Sequence, residues 1–189
     1  MTLALYSWLM WAIQPLLRSK LRRRGLKEPG YLEHIEERFG VYTTHIKKQT
    51  QEPSASKICV WVHAVSLGET RAAEVLLHAL RAEYPGVRIV LTHGTATGRA
   101  LGASLLKEGD VQVWQPWDTP AIVQRFLQHF QPQLAVVLET EIWPNWVAQC
   151  KHSNIPMVLV NARMSEKSML SAQRLAWLSG PAYAGLNGV

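Results

Sequence analysis

Carboxylates and small polar residues follow the ends of apolar runs in this sequence, where a buried strand would give way to a loop. In "KICVWVHAVSLGET" the run is followed by Ser66, Gly68 and Glu69, and in "LAVVLETEIWPNW" it is followed by Glu139 and Glu141. A carboxylate placed beside a hydroxyl group can take its proton while the oxygen attacks another atom. The pattern therefore indicates proton transfer on a polar substrate, provided that the two stretches meet in the fold.

Glu69 has two interpretations, which the residues alone leave open. Ser66 and Glu69 fit a capping box, in which a serine caps a helix and a glutamate three residues later bonds back to a free amide. Gly68 favours a ligand, because glycine lets a ligand approach the backbone and a helix N-terminus favours anions. Glu69 is thus a helix cap, a base that acts on a substrate, or both.

The stretch "LETEIWPNW" is harder to explain by structure alone. Glu139 ends a buried apolar run, where an unpaired carboxylate is costly. Glu141 follows at strand spacing, so both acids would share one face if the strand continued. Glu69 and Glu139 would then face one cleft, one as a base and the other to position a donor or carry charge. Trp143 and Trp146 either shield the site and stack on a sugar or, more commonly for tryptophan, pack in the core.

Other candidate groups carry weaker signals. Arg163 in "NARMSEKS" either holds a substrate phosphate or forms a structural salt bridge. "GTATG" is rich in glycine but lacks the spacing of nucleotide-binding loops. The histidines are scattered and no metal-binding motif occurs, so local motifs do not predict a metal. Cys59 and Cys150 lie in apolar stretches, which favours reduced thiols in the cytoplasm.

The segments that must hold these residues alternate between strands and helices from residue 58 onward. Apolar runs predict strands at 58–65, 87–92, 111–114, 134–139 and 156–160, and apolar spacing predicts helices at 70–84, 97–106, 120–130, 144–152 and 168–178. This alternation predicts a doubly wound α/β domain whose parallel sheet is covered on both faces. The loops that follow the strands then gather at one edge of the sheet, where ligands bind.

The N-terminal stretch combines apolar with basic residues. "MTLALYSWLMWAIQPLL" is followed by a basic cluster, which consists of Arg18, Lys20, Arg22, Arg23, Arg24 and Lys27, and the chain carries a net charge of +6. Its length is at the lower edge of what spans a bilayer, and the cluster suits anionic lipid. We predict a membrane-associated helix; the alternative is a helix packed on the domain. No nucleic-acid-reading motif accompanies the charge, so we expect no nucleic-acid partner.

These observations divide the chain into three parts. Residues 1–24 are predicted to be a membrane anchor with its basic flank. Residues 25–57 are polar and broken and are predicted to be a connecting segment. Residues 58–189 form the predicted α/β domain. With 189 residues, 48% of them hydrophobic, the chain is long enough for one domain with a substantial core.

Four motifs together resemble one known family. "WVHAVSLGET", "TATG", "LETEIWPNW" and "NARMSEKS", in this order and spacing, resemble the N-terminal half of the 3-deoxy-D-manno-octulosonic acid (Kdo) transferases. The start of the chain, "LYSWLMWAIQPL" followed by a basic run and "ERFG", also looks like the start of that family. The resemblance covers nearly the whole sequence.

The resemblance implies an inverting glycosyltransferase of the GT-B architecture, in which two Rossmann-like domains face a cleft. Such enzymes move Kdo from CMP-Kdo to the lipid A precursor, lipid IVA, at the cytoplasmic face of the inner membrane, and they need no bound metal. By resemblance Glu69 is the general base and Glu139 stabilises the transition state. Around them we expect a set of substrate-binding residues: Ser66, Gly68, Glu141, Asn145 and Arg163. Beyond the sugar donor we expect no cofactor.

Two alternatives and one departure accompany this interpretation. Family members continue with a second domain that carries most of the CMP-binding groups, so we expect this chain to be incomplete and to transfer little Kdo alone. From a different class of protein, the alternative is a non-catalytic, membrane-bound α/β module that binds a lipid or a partner. Among enzymes, paired carboxylates also serve glycoside hydrolysis.

Overall fold

A five-stranded parallel sheet forms the centre of the protein, in a computed structural model that describes residues 2–42, 58–164 and 166–189. The strands lie in the order β3-β2-β1-β4-β5. They are β1 (Cys59–His63), β2 (Arg88–His93), β3 (Val111–Trp114), β4 (Leu134–Leu138) and β5 (Met157–Val160). The predicted α/β architecture with a parallel sheet is confirmed.

Helices precede the sheet and connect its strands. Before the sheet come α1 (Leu3–Ala12), α2 (Gln14–Gly25) and two short 3-10 helices at Pro29–Tyr31 and Ile35–Phe39. Within and after the sheet come α3 (Leu67–Glu83), α4 (Ala96–Leu105), α5 (Pro120–Phe130), α6 (Pro144–His152), α7 (Glu166–Arg174) and α8 (Ala176–Ala184). Residues 43–57 of the predicted connecting segment lie outside the described residues.

Both faces of the sheet are covered, which is why the strands are continuous apolar runs. On one face Phe126 of α5 and Trp146 of α6 pack against Trp61, with ring centroids 4.6 and 4.9 Å from it. On the other face Leu77 of α3 packs in a cluster with Leu91 of β2. Successive residues of each strand therefore serve opposite halves of the core, and the sheet holds its loops on a rigid base.

The helices differ from the prediction at two places. The predicted helix at 168–178 is confirmed as helical but is interrupted, because the chain bends at Leu175 and forms α7 and α8. Ser179 closes this bend by donating its hydroxyl to the carbonyl oxygen of Ala172, at 2.7 Å. Helix α3 begins at Leu67, three residues before the predicted start, so that Glu69 lies in its first turn.

The N-terminal residues form two helices that are separated at Ile13. Pro15 lies in the first turn of α2, where the missing N–H group leaves no helical bond unmade. Helix α1 packs against α6, and α2 places Leu21 in a cluster with Tyr31 and Trp114. Within the described parts of the chain, none of the helices has the length and apolar character needed to cross a bilayer. Membrane association stays a prediction.

Candidate functional site

The candidate site lies at the carboxyl edge of the sheet, between β1 and β4. The chain runs outward from β1 to β2 and β3 and then returns to β4 on the other side of β1, so the direction of winding reverses there. Loops that diverge at such a point leave a crevice in which open α/β sheets bind their ligands. Glu69 follows β1 and Glu139 follows β4, and both therefore belong to this crevice.

Glu69 forms the predicted capping box at the start of α3. Ser66 is the N-cap residue, and its hydroxyl oxygen accepts the Glu69 amide at 3.4 Å. The Glu69 carboxylate accepts the Val65 amide at 2.8 Å through Oε2 and the Ser66 hydroxyl at 2.9 Å through Oε1. Each carboxylate oxygen thus accepts one bond from the protein and keeps further acceptor capacity for another donor.

The environment of Glu69 makes it a stronger base than an exposed glutamate. Its pKa is raised chiefly by burial, while the bonds from Val65 and Ser66 act in the opposite direction and the charge of Glu139 raises it further. The pKa of Glu141 is also raised, first by burial and then by the charges of Glu69 and Glu139. The charge of Glu139 therefore acts on both Glu69 and Glu141, and that of Glu69 acts on Glu141.

Glu139 adopts an unusual backbone conformation, with φ of 59° in the left-handed region. Residues other than glycine rarely adopt this region, and such strain costs about 1–3 kcal/mol. The Glu139 amide still bonds to the Val160 carbonyl at 3.1 Å, but β4 ends at Leu138. Because the strand does not continue, its alternation does not relate Glu139 to Glu141. No side chain among the described residues donates a hydrogen bond to the half-buried Glu139 carboxylate.

The other predicted site residues lie around these carboxylates in different environments. Glu141 accepts the indole N–H of Trp143 at 3.1 Å. A side chain added to Gly68 would meet only the Ser66 hydroxyl, at 3.9 Å, so no described part of the protein requires glycine there. Arg163 is exposed after β5, and none of the ion pairs between described residues includes it.

Asn145 belongs to a buried network that the sequence did not predict as part of the site. Its side chain donates to the Asp118 carbonyl at 2.8 Å and accepts the Ser7 hydroxyl at 2.8 Å. The Asp118 carboxylate accepts the amides of Asn145 and Trp146, at 3.2 and 3.1 Å, and the hydroxyl of Tyr6 at 2.8 Å. The network joins α1 to the first turn of α6, directly after the loop that carries Glu139. Substrate binding by Asn145 stays a prediction.

Burial dominates the protonation of Asp118. It raises the pKa of this carboxyl to about 6, against the effect of the hydrogen bonds from Tyr6, Asn145 and Trp146. The pKa of the Tyr6 hydroxyl is also raised, by burial and by the neighbouring Asp118. The sequence places Asp118 in a loop that follows a strand, which marks it as a candidate for the site. It does not reveal the contact with Tyr6, which lies 112 residues away.

Two histidines at strand ends belong to the core. His63 and His93 are fully buried, and burial lowers their pKa values to about 3 and about 4. Nδ1 of His63 lies 2.8 Å from the Thr92 hydroxyl, and Nδ1 of His93 lies 3.0 Å from the Ala64 carbonyl oxygen. Both rings are therefore neutral at physiological pH and lie among protein groups.

An apolar cavity of about 280 Å³ opens beside Glu141, and neither Glu69 nor Glu139 lines it. Glu141 and Trp143 line it on one side, Tyr6 of α1 on another, and Leu178 and Tyr183 of α8 on a third. In the described residues no group of three or more His, Cys, Asp or Glu side chains is arranged to hold a metal ion.

Comparisons with known proteins place this chain beside one family. The family model described as "3-Deoxy-D-manno-octulosonic-acid transferase (kdotransferase)" matches residues 33–189. A Bordetella pertussis protein named 3-deoxy-D-manno-octulosonic acid transferase is 37% identical over 190 residues, which cover 97% of this chain and 42% of that protein.

Relatives from other organisms carry the same name. A Haemophilus influenzae transferase is 33% identical over 163 residues, or 86% of this chain and 36% of its own length. An Arabidopsis thaliana protein, named a probable mitochondrial 3-deoxy-D-manno-octulosonic acid transferase, is 32% identical over 167 residues, or 87% of this chain and 35% of its own length. The chain thus spans well under half the length of these relatives.

Proposed function

This chain belongs to the 3-deoxy-D-manno-octulosonic acid (Kdo) transferase family, and from that premise we propose that it serves the transfer of Kdo from CMP-Kdo to lipid IVA in lipopolysaccharide biosynthesis. In this proposal the α/β domain is the acceptor-side half of a GT-B enzyme. The reaction inverts the anomeric centre and uses no bound metal ion. The non-catalytic alternative is not favoured, because the relatives are named as transferases.

The observation that carries the proposal is the meeting of Glu69 and Glu139 at the point where the winding of the sheet reverses. The charge of Glu139 raises the pKa of Glu69, so the two carboxylates lie near each other. They come from loops that are 70 residues apart in the chain, and the sheet alone brings them together. This arrangement offers a base and a second charge to one bound sugar.

Glu69 is the proposed general base. It takes the proton of the acceptor hydroxyl while that oxygen bonds to the anomeric carbon of Kdo and the bond to the CMP oxygen breaks. A positioned base of this kind contributes about 10²–10⁴-fold to the rate. One base suffices, because direct displacement with inversion forms no covalent intermediate. The bonds from Val65 and Ser66 support this role, since they fix the direction of the carboxylate.

Glu139 is proposed to stabilise the transition state. Glycosyl transfer passes through a transition state with oxocarbenium character, whose positive charge a fixed carboxylate stabilises. The left-handed backbone of Glu139 supports this role, because strained conformations of this kind cluster at functional sites. Around the two acids, we propose that Ser66, Gly68, Glu141 and Arg163 contact the substrates.

We also propose that α1 rests on the anionic cytoplasmic surface of the inner membrane. Helix α1 and the start of α2 expose large apolar side chains, with Trp8, Trp11 and Leu16 exposed by 61, 63 and 70%. The basic cluster follows directly, and such clusters attract anionic lipid. An apolar face with a basic flank is the pattern of a helix that lies in the membrane interface.

The test of the catalytic proposal is Glu69→Gln, made at the aligned position of the Bordetella pertussis transferase for turnover and in this chain for stability. Glutamine serves a capping box as glutamate does, so the midpoint of thermal unfolding should stay near that of the unchanged protein. Turnover should fall by about 10²–10⁴-fold, because an amide cannot accept the proton.

Glu74→Gln is the matched control, since Glu74 is exposed on the same helix. It should leave both turnover and the unfolding midpoint unchanged. If Glu69→Gln kept ordinary turnover, Glu69 would be a helix cap alone and the proposed mechanism would be wrong.

A further inference from the structure

A second cavity, with basic walls, lies on the same edge of the sheet beyond β2 and β3. It encloses about 150 Å³ between α2, the 3-10 helices and the loops that follow β2 and β3. The lining residues that matter here are Lys20, Arg24, Tyr31, Arg38, Gly94 and Gln115. None of them belongs to the carboxylate crevice or to the network around Asp118.

Three buried polar atoms around this cavity have no hydrogen-bond partner in the described parts of the chain. They are the Tyr31 hydroxyl, Nε of Arg38 and Oε1 of Gln115. A buried donor or acceptor left without a partner costs about 1–3 kcal/mol, so such atoms are rare singly. All three belong to residues that line this one cavity, which favours a polar occupant there.

Arg38 carries a buried positive charge without a carboxylate of its own. It is 6% exposed, donates from Nη2 to the Gly94 carbonyl at 3.0 Å and lies 4.0 Å from the centre of the Trp114 ring. The neighbouring Glu37 is engaged by Arg99 and by the Trp114 amide, each at 2.9 Å. Burial lowers the pKa of Arg38 to about 10, which leaves it protonated at neutral pH. A buried charge of this kind calls for an anion.

Two further cations stand at the mouth of the cavity. Lys20 and Arg24 are exposed on successive turns of α2, and Arg24 meets Glu28 only in an exposed contact of 3.6 Å. The volume is equivalent to about five water molecules, well below the roughly 300 Å³ at which pockets for drug-sized ligands begin. The cavity therefore suits one compact anionic group. The rest of the ligand that carries this group would extend past Lys20 and Arg24.

We propose that this cavity binds the phosphate group of a phosphate monoester, with Arg38 at its base and Lys20 and Arg24 at its mouth. Arginine offers the planar fork of N–H groups that fits phosphate oxygens. A monoester carries about −1.5 to −2 charges at neutral pH, which suits three cations better than the single charge of a diester. The phosphate belongs either to a soluble compound or to a lipid headgroup. The proposal stands independently of the transferase assignment.

The test measures binding of inorganic phosphate by this chain, by calorimetric titration at mildly alkaline pH and constant ionic strength. A parallel arm measures sedimentation with phosphatidylcholine vesicles that carry phosphatidic acid, a monoester, or phosphatidylglycerol, a diester, at equal charge. The variants are Arg38→Lys, the lining pair Lys20→Gln with Arg24→Gln, and the control pair Arg23→Gln with Lys27→Gln. Both pairs remove two exposed charges from the same region of the chain, and only the first lies on the cavity.

We expect Arg38→Lys and the lining pair each to weaken phosphate binding roughly tenfold, the value of one charge-assisted hydrogen bond, and the control pair to change it little. The same pattern in the titration assigns a soluble phosphate compound. If the variants weaken binding to phosphatidic acid vesicles in this pattern and the titration detects no phosphate binding, the ligand is a lipid headgroup. The proposal is overturned if the unchanged protein binds phosphate in neither arm, or if the lining and control pairs weaken binding equally. Should Arg38→Lys fail to fold, the comparison of the two surface pairs still decides.

Discussion

At the scale of single residues, the geometry of Glu69 forms the predicted cap and is compatible with the proposed base. The bonds from Val65 and Ser66 occupy one acceptor position on each carboxylate oxygen and cap α3. The same bonds hold the carboxylate in one orientation, which is what a general base needs. Capping and catalysis therefore compete only if the cap uses every acceptor position, and it does not.

The acid limb of the pH–rate profile should report the pKa of Glu69. The limb should lie above the ordinary range of glutamate, because burial and the charge of Glu139 raise this pKa and a protonated Glu69 cannot accept a proton. Glu139→Gln removes that charge, so the limb should move to lower pH, whatever happens to the maximal rate. The measurement is kcat against pH in the Bordetella pertussis transferase, with the aligned residue changed.

Glu74→Gln again supplies the control, and its acid limb should coincide with that of the unchanged enzyme. A limb that moves to higher pH in Glu139→Gln, or does not move at all, would contradict the shared environment of the two carboxylates.

The sequence predicts the local part of this site and misses the part that depends on the fold. Ser66 and Glu69 are three residues apart, so their reciprocal bonds follow from spacing alone. The left-handed conformation of Glu139 has no such signal, since glutamate has no intrinsic preference for it and the turn after β4 imposes it. Arg38 stands in "EERFG", which the sequence offered only as part of the family resemblance.

At the scale of elements, the loop between β4 and α6 depends on Asp118. This carboxylate accepts the first amides of α6 and the hydroxyl of Tyr6, so it holds the helix start and α1 together. Acceptors at a helix N-terminus satisfy amides that have no partner within the helix. The position of Glu139 thus depends on a residue from the preceding loop.

Asp118 should make stability depend on pH in an unusual direction. Its pKa is about 6 in the folded protein against an ordinary value of 3.8, so folding favours the protonated form. Its contribution to stability is then fully present below about pH 4 and is lost as the pH rises through about 6. The difference between the two pKa values corresponds to roughly 3 kcal/mol.

Urea unfolding of the unchanged chain and of Asp118→Asn, at several values between about pH 4 and about pH 7, measures this effect. Asparagine does not titrate, so the stability advantage of the unchanged protein over the variant should shrink as the pH rises. An advantage that grows with pH would mean that Asp118 is ionised at low cost and that its hydrogen bonds outweigh its burial.

The sequence predicts best the elements that are buried on both faces, which are the strands of the sheet. All five strands appear near their predicted positions, because a strand between two helical layers must be apolar on both sides. The bend at Leu175 was missed because the apolar spacing of residues 168–178 continues through it, whereas the hydrogen bond that closes the bend comes from Ser179, just beyond this segment. Distant partners such as Tyr6 and Asp118 leave no periodic signal at all.

At the scale of the whole molecule, the carboxyl edge of the sheet carries opposite charges on its two halves. Glu69, Glu139 and Glu141 gather between β1 and β4, whereas the basic cavity lies beyond β2 and β3 on the side of α2. Val65 lies between the halves, because it donates its amide to Glu69 and accepts the Gly94 amide at 3.1 Å. A substrate with a neutral sugar and an anionic group would find both kinds of partner along one edge.

Membrane association should depend on the exposed tryptophans of α1. Full burial of a large apolar side chain is worth about 1.5–3 kcal/mol, so replacing Trp8 and Trp11 by serine should weaken vesicle binding by at least about tenfold. The measurement is sedimentation of the chain with vesicles that contain anionic lipid. Added salt should weaken binding further, because it screens the basic cluster.

The matched control is Val75→Ser, which removes a side chain that is 73% exposed on α3, away from α1. It should leave vesicle binding unchanged. Equal binding by the double tryptophan variant and the unchanged chain would refute the interfacial role of α1. These point substitutions are cleaner than deletion of residues 1–24, since Leu21 is part of a buried cluster.

The bonds of Tyr6 and Ser7 to Asp118 and Asn145 have a mechanical consequence. A displacement of α1 would be transmitted directly to the first turn of α6, because two side-chain hydrogen bonds connect the two helices through Asp118 and Asn145. Helix α1 therefore covers the buried Asp118 carboxylate and is an integral part of the domain. Displacing α1 would expose the buried Asp118 carboxylate to water and remove the side-chain bonds that join α1 to the start of α6, the helix that follows the Glu139 loop.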